Sequence, residues 1–240
     1  MRKFWGFYDN GTYKVGCNGQ TMYLYDVENR ELAKFKDIAY AYRGAFKPNS
    51  NIFVLRSTDG RISVYDCDEK KLLLKFRFSN IDYSQDDGFC FSPDGKYFIN
   101  IERIHSSTQT RLSIYETDTF SPVKRLFEDD EQLVLSNIEY QSIKNEYLML
   151  FFMRGDDGVY SQGYVGTLTG NDIINMLPLS SKAYDFLQSY KSLQLSGFTE
   201  KSMEWSGLHY RGYSNEEILK FRDRNFDLST FPQIAETIVE

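Results

Sequence analysis

The chain has 240 residues, of which 41% are hydrophobic, 26% charged and 16% aromatic, with 19 Phe and 18 Tyr. That apolar content supports a packed core, the scarcity of Pro (5) with moderate Gly (16) argues against disorder, and the aromatic excess favours pleated sheet. A formal net charge of −6, with the densest basic stretch (220–224) interrupted by Asp223, excludes the basic surface that a nucleic-acid binder needs.

Taken along the chain, the first unit is GFYDNGTYKVGC (6–17), two short apolar runs around an Asn10-Gly11 turn. TMYLYDVENRELAKF (21–35) follows, an alternating run ending in Tyr25-Asp26, then a polar turn and a second alternating run. Alternation at period two places one set of side chains on each face of a sheet, and the short link makes the unit a hairpin. The same two patterns return in the same order. GAFKPNSNIFVLRSTDG (44–60) turns at Pro48-Asn49 and precedes RISVYDCDEKKLLLKF (61–76). GFCFSPDGKYFINIE (88–102) turns at Pro93-Asp94-Gly95 and precedes RLSIYETDTFSPVKRLF (111–127). Pro presets the turn dihedral, and the Asn or Asp-Gly that follows makes the reversal. A weaker fourth copy runs over 137–152, with a turn at Lys144-Asn145, and then through GYVGTLT (163–169), Gly170-Asn171 and DIINML. There Tyr164 and Val165 take the places of Tyr23 and Leu24, and the acid after the aromatic is lost.

Each pair of patterns supplies four strands, and Tyr25, Tyr65 and Tyr115 recur at about blade length, which is the signature of stacked four-stranded meanders. These residues resemble WD-repeat β-propellers over roughly 2–178. The Tyr-Asp or Tyr-Glu pair stands where that family has Trp-Asp, and FSPDGKY (91–97) is similar to an inner hairpin of its blades. No Gly-His dipeptide precedes the blades, so the family's Asp-His tie does not carry over. The expected fold is therefore all-β and propeller-like, with four clear blades over 1–178. Residues 179–240 form a C-terminal segment that is helical, a degenerate fifth blade built from LQLSGFT and GLHYRGY, or both. Within it, Ala183, Phe186, Leu187 and Tyr190 fall at helical spacing, and Ser214 with Glu217 fits a capping box. Residues 233–240 (QIAETIVE) read as a further short helix after Pro232. Phe46, Val54, Val64, Phe91, Phe98, Ile99, Ile114, Leu148 and Leu150 are the expected core.

No catalytic or metal-binding constellation and no cofactor motif is expected. His105 and His209 lie in no HxH, HExxH or GxSxG setting, with His105 read as a solvated loop residue and His209 as structural. Cys90 reads as a buried, inert thiol. Cys17, Cys67 and Cys90 form no CxxC pair, and their odd number fits no complete disulfide framework. Free thiols, the lack of a signal-like apolar run and a longest apolar run of only 147–153 lead to the expectation of a cytoplasmic protein without membrane association. Asp-Asp-Gly at 86–88 and 156–158 reads as acidic turns, and EDDE (128–131) as a solvated connector.

The informative feature is where chain length accumulates. The links between second and third strands are longer in blades 3 and 4, and they share one ring edge with the connectors at 79–87 and 128–136. Insertions gathered on one face of a repeat protein mark its binding face. Tyr83, Asp86, Asp87, His105, Asp156, Asp157 and Tyr160 are the candidate partner-binding residues there. Their acids suit a protein partner with a basic patch, and their tyrosines supply rigid contact area. The expected function is a non-enzymatic interaction scaffold or regulatory module. Two alternatives stand beside it. One is a small-ligand-binding or hydrolytic enzyme using acidic and aromatic residues at the propeller mouth. The other is a structural subunit that completes its ring by oligomerising.

Overall fold

The structure is a computed structural model that describes residues 4, 6–36, 38, 41–57, 59–78, 88–104, 109–142, 144–155, 160–181, 183, 184, 186, 187, 193, 203, 204, 206–210 and 212–223. Among the described residues sixteen strands form four antiparallel, four-stranded meanders in strict chain order, a propeller-like arrangement of blades. Blade 1 comprises β1 (Gly6–Asp9), β2 (Lys14–Cys17), β3 (Met22–Tyr25) and β4 (Glu31–Phe35). Blade 2 comprises β5 (Ala41–Phe46), β6 (Ile52–Ser57), β7 (Arg61–Asp66) and β8 (Lys71–Arg77). Blade 3 comprises β9 (Phe89–Phe91), β10 (Tyr97–Arg103), β11 (Thr110–Glu116) and β12 (Ser121–Leu126). Blade 4 comprises β13 (Leu133–Gln141), β14 (Glu146–Arg154), β15 (Tyr160–Thr169) and β16 (Asp172–Leu179).

The blades stack face to face, because each sheet has two apolar faces that it cannot bury alone. One face of blade 1 (Tyr8, Val15, Leu24) packs on Phe53, Leu55 and Tyr65 of blade 2. The other face of blade 2 (Val54, Ile62, Val64) packs on Phe89, Phe91 and Phe98 of blade 3. Ile99, Ile101 and Leu112 then meet Leu135, Met149 and Phe151 of blade 4. Of the expected core, Val54, Val64, Phe91, Phe98, Ile99 and Leu150 are buried, whereas Phe46, Ile114 and Leu148 are half-buried against it.

The recurring tyrosines hold equivalent places. Tyr65 lies opposite Phe53 and Tyr115 opposite Phe98, and at Tyr25, Tyr65 and Tyr115 alike the pairing to the outer strand shifts by a bulge. The following acids shape the next turn. Asp26 Oδ1 accepts the Arg30 N–H at 2.8 Å, Asp66 Oδ1 accepts the Glu69 N–H at 3.0 Å, and the Glu116 carbonyl accepts the Phe120 N–H at 2.7 Å. In blade 4 the bulge falls between Val165 and Thr167, so Gly166, opposite Met149, stands in the tyrosine's place. A side chain there would drive its Cβ to 2.5 Å from Ile173 Cγ2.

Beyond Leu179 the described residues are helical wherever they are regular. GLHY, where the sequence left a strand of a degenerate fifth blade open beside a helix, is α1 (Gly207–Tyr210), and α2 (Asn215–Asp223) follows. Of LQLSGFT, Leu193 is helical and the rest lies outside the described residues, as do Tyr190 and 224–240. Ala183, Phe186, Leu187, Leu208 and Ile218 pack on Leu150, Val165 and Leu179, so a helical layer covers the face of blade 4 that a fifth blade would cover. Tyr184 lies across Gly163, where an added Cβ would stand 2.5 Å from its ring, and its own ring centroid is 4.1 Å from that of Phe152. Among the described residues no helix is long and apolar enough to cross a membrane.

Candidate functional site on the upper edge

Antiparallel order sends every second-to-third-strand link and every blade-to-blade connector to one edge, here called the upper edge. The links there span 18–21, 58–60, 104–109 and 155–159, so blades 3 and 4 carry the longer ones. The connector 127–132 between those blades is bonded to both. Gln109 Nε2 donates to the Glu128 carbonyl at 3.3 Å, and the Arg154 N–H donates to the Gln132 carbonyl at 2.8 Å. The same seam continues inward: the Leu135 N–H donates to Thr110 Oγ1 at 2.8 Å, and the Gly88 N–H to the Ser136 carbonyl at 2.8 Å. Gly88 is required by closeness, because a Cβ would come within 2.7 Å of the backbone of blade 4.

Arg125, Phe127, Glu128, Asp129, Asp130 and Glu131 line an open concavity of about 750 Å³ on this edge. Two of its acids hold the connector in shape. Asp130 Oδ1 accepts the N–H groups of Gln132 and Leu133, both at 3.0 Å, and Glu128 is ion-paired with Arg111 of β11. Asp129 and Glu131 are exposed to solvent.

From Glu128 a chain of ion pairs runs inward to a buried carboxylate. Arg111 Nε donates to Glu102 Oε2 at 2.7 Å; the other oxygen of this fully buried carboxylate accepts from Tyr115 Oη and, at 3.3 Å, from Asn100 Nδ2. Burial first, and the Glu102 charge second, push the Tyr115 phenol far above its ordinary pKa, so it remains a donor. Burial works against the Arg111 charge, but Glu102 and Glu128 together outweigh it and raise its pKa.

Of the residues expected to form the binding face, Tyr83, Asp86, Asp87, His105, Asp156 and Asp157 lie outside the described residues. Tyr160 is not in a link: it opens β15, with its backbone opposite Arg154. Sequence reasoning placed 128–136 in one connector, but β13 already begins at Leu133. It also missed Glu102, Arg111 and the structural part of Glu128. Their signal was faint, a charge on each of two neighbouring alternating runs. Cys90 is half-buried, and His209 is exposed on α1. Among the described residues no group of His, Cys, Asp or Glu is placed to hold a metal ion.

No family model and no characterised protein matches the chain. The functional reading therefore rests on the geometry of this edge.

Proposed function

We propose that the protein is a non-enzymatic, cytoplasmic interaction scaffold of the WD-repeat-like kind, whose upper edge at blades 3 and 4 receives a protein partner carrying a basic patch. The observation that supports this reading is the acidic connector 127–132, which is bonded to Gln109 at the end of one longer link and to Arg154, the residue that closes β14 before the other. In that connector Glu128 and Asp130 keep the backbone in place, leaving Asp129 and Glu131 to meet the partner's cations, with Phe127 and Arg125 beside them. We count Tyr83, Asp86, Asp87, His105, Asp156, Asp157 and Tyr160 as the rest of that face. Exposed acids of this kind steer a basic partner more than they tighten it, and their effect fades as salt screens them.

The test is affinity capture from the native host with the full chain as bait. Wild type is expected to retain a basic partner in about 0.1 M salt and to release most of it near 0.5 M. Asp129→Lys with Glu131→Lys, and separately Asp157→Asn with Tyr160→Ala, should each reduce that capture at least tenfold while the melting temperature stays within a few degrees. Equal capture by wild type and both double variants would sink the proposal.

A further inference from the structure

Three rungs of the β10–β11 ladder face blade 2, and their chemistry changes along the strand. The lowest pairs Phe98 with Tyr115, the middle pairs Asn100 with Ser113, and the uppermost pairs Glu102 with Arg111. Around the lowest rung the rings of Phe91, Phe98 and Phe120 pack at centroid separations of 5.2–6.0 Å. Above it polar groups enter the interior beside the buried Phe89 and Ile62: Asn100, Ser113 and Glu102 are all 0% exposed. From blade 2, Arg56, 1% exposed, joins this layer; its Nη2 donates to the Ile101 carbonyl at 2.9 Å, and its guanidinium lies 4.7 Å from the Phe78 ring centroid. Among the described residues Asn100 Oδ1 and Ser113 Oγ have no hydrogen-bond partner despite complete burial. The rungs that match Asn100 with Ser113 carry a larger apolar group in place of Asn100: Leu55 with Ser63 in blade 2, and Phe151 with Tyr164 in blade 4.

Parting two apolar faces is opposed by the full hydrophobic effect. Parting this upper half separates Phe89 and Ile62 but is opposed less, because it also returns water to Arg56, Glu102 and Arg111 and supplies partners to two groups that lack them when the junction is closed. We propose that the upper half of the junction between blades 2 and 3 opens as a unit, hinged on its aromatic lower half, while the other junctions stay shut. Such an opening is a sub-global excursion with its own free energy, and it creates a cleft lined by Asn100, Glu102 and Ser113 on the upper edge.

Ser113→Cys puts a thiol on the middle rung with little change of volume. Cys17 and Cys67, 0% and 1% exposed in the apolar junction of blades 1 and 2, are internal controls. The full chain is labelled with a thiol reagent under native conditions, and each site's rate, read by peptide mass spectrometry, is divided by its rate in denaturant. The normalised rate at position 113 is expected to exceed those of Cys17 and Cys67 at least tenfold and to be insensitive to low denaturant. A rate within tenfold of the controls, or one that climbs with denaturant as theirs do, means that the site opens only with the whole fold and overturns the proposal. Asn100→Cys, read by the same criteria, decides the matter if Ser113→Cys does not fold.

Discussion

Glu102 keeps a carboxylate in the interior because three donors converge on it: Arg111, Tyr115 and Asn100. A buried charge is tolerated only when it is paired and hydrogen-bonded. Removing one donor is therefore costly even where the change is a single atom. Tyr115→Phe should lower the stability by about 1–3 kcal/mol in urea unfolding, through the desolvated oxygen it leaves. A change below about 0.5 kcal/mol would show that the phenol does not hold Glu102. These residues stand in plain view in YFINIER and RLSIYE, yet period-two alternation does not identify them as buried. In a stacked blade both faces of the strand are covered, so the polar set of an alternating run is not necessarily the solvated set.

At the scale of elements, local chemistry was well legible where it acts within a few residues. The capping box is present in full: Glu217 Oε2 accepts the Ser214 N–H at 2.8 Å, and Ser214 Oγ accepts the Glu217 N–H at 3.3 Å. Those bonds to Ser214, backbone first, hold the Glu217 pKa below its ordinary 4.5. A depressed carboxylate pKa contributes stability that is complete above the unfolded-state value and is lost as pH falls through the folded value. The advantage of wild type over Glu217→Ala in thermal melting should therefore be constant above pH 4.5 and shrink below it. An advantage that grew towards acid would contradict the capping role. GLHYRGY shows the opposite case, a short segment whose apolar residues fit strand or helix equally. Leu208 settles it by packing into the layer against blade 4, a contact that no local pattern encodes.

For the whole molecule, that helical layer does the work of a missing blade. Leu150 and Val165, with Leu148 and Phe152 beside them, would face water without it. A chain ending at Leu179 should accordingly self-associate in size-exclusion chromatography and bind a hydrophobic dye, since large exposed apolar patches drive association. A monodisperse monomer with unchanged melting would mean that the four blades need no cover. The sequence by itself determined the meander order, the turns and the recurrence of the tyrosines, because hairpin turn chemistry and strand alternation act between residues close along the chain. Only the tertiary structure decided which faces are buried, which charges meet and what covers blade 4. Those outcomes depend on stacking between distant segments. Arg56 and Ile101 are bonded across 45 residues, and Thr110 and Leu135 across 25. A pattern read within one hairpin carries no information about which face the next blade will cover.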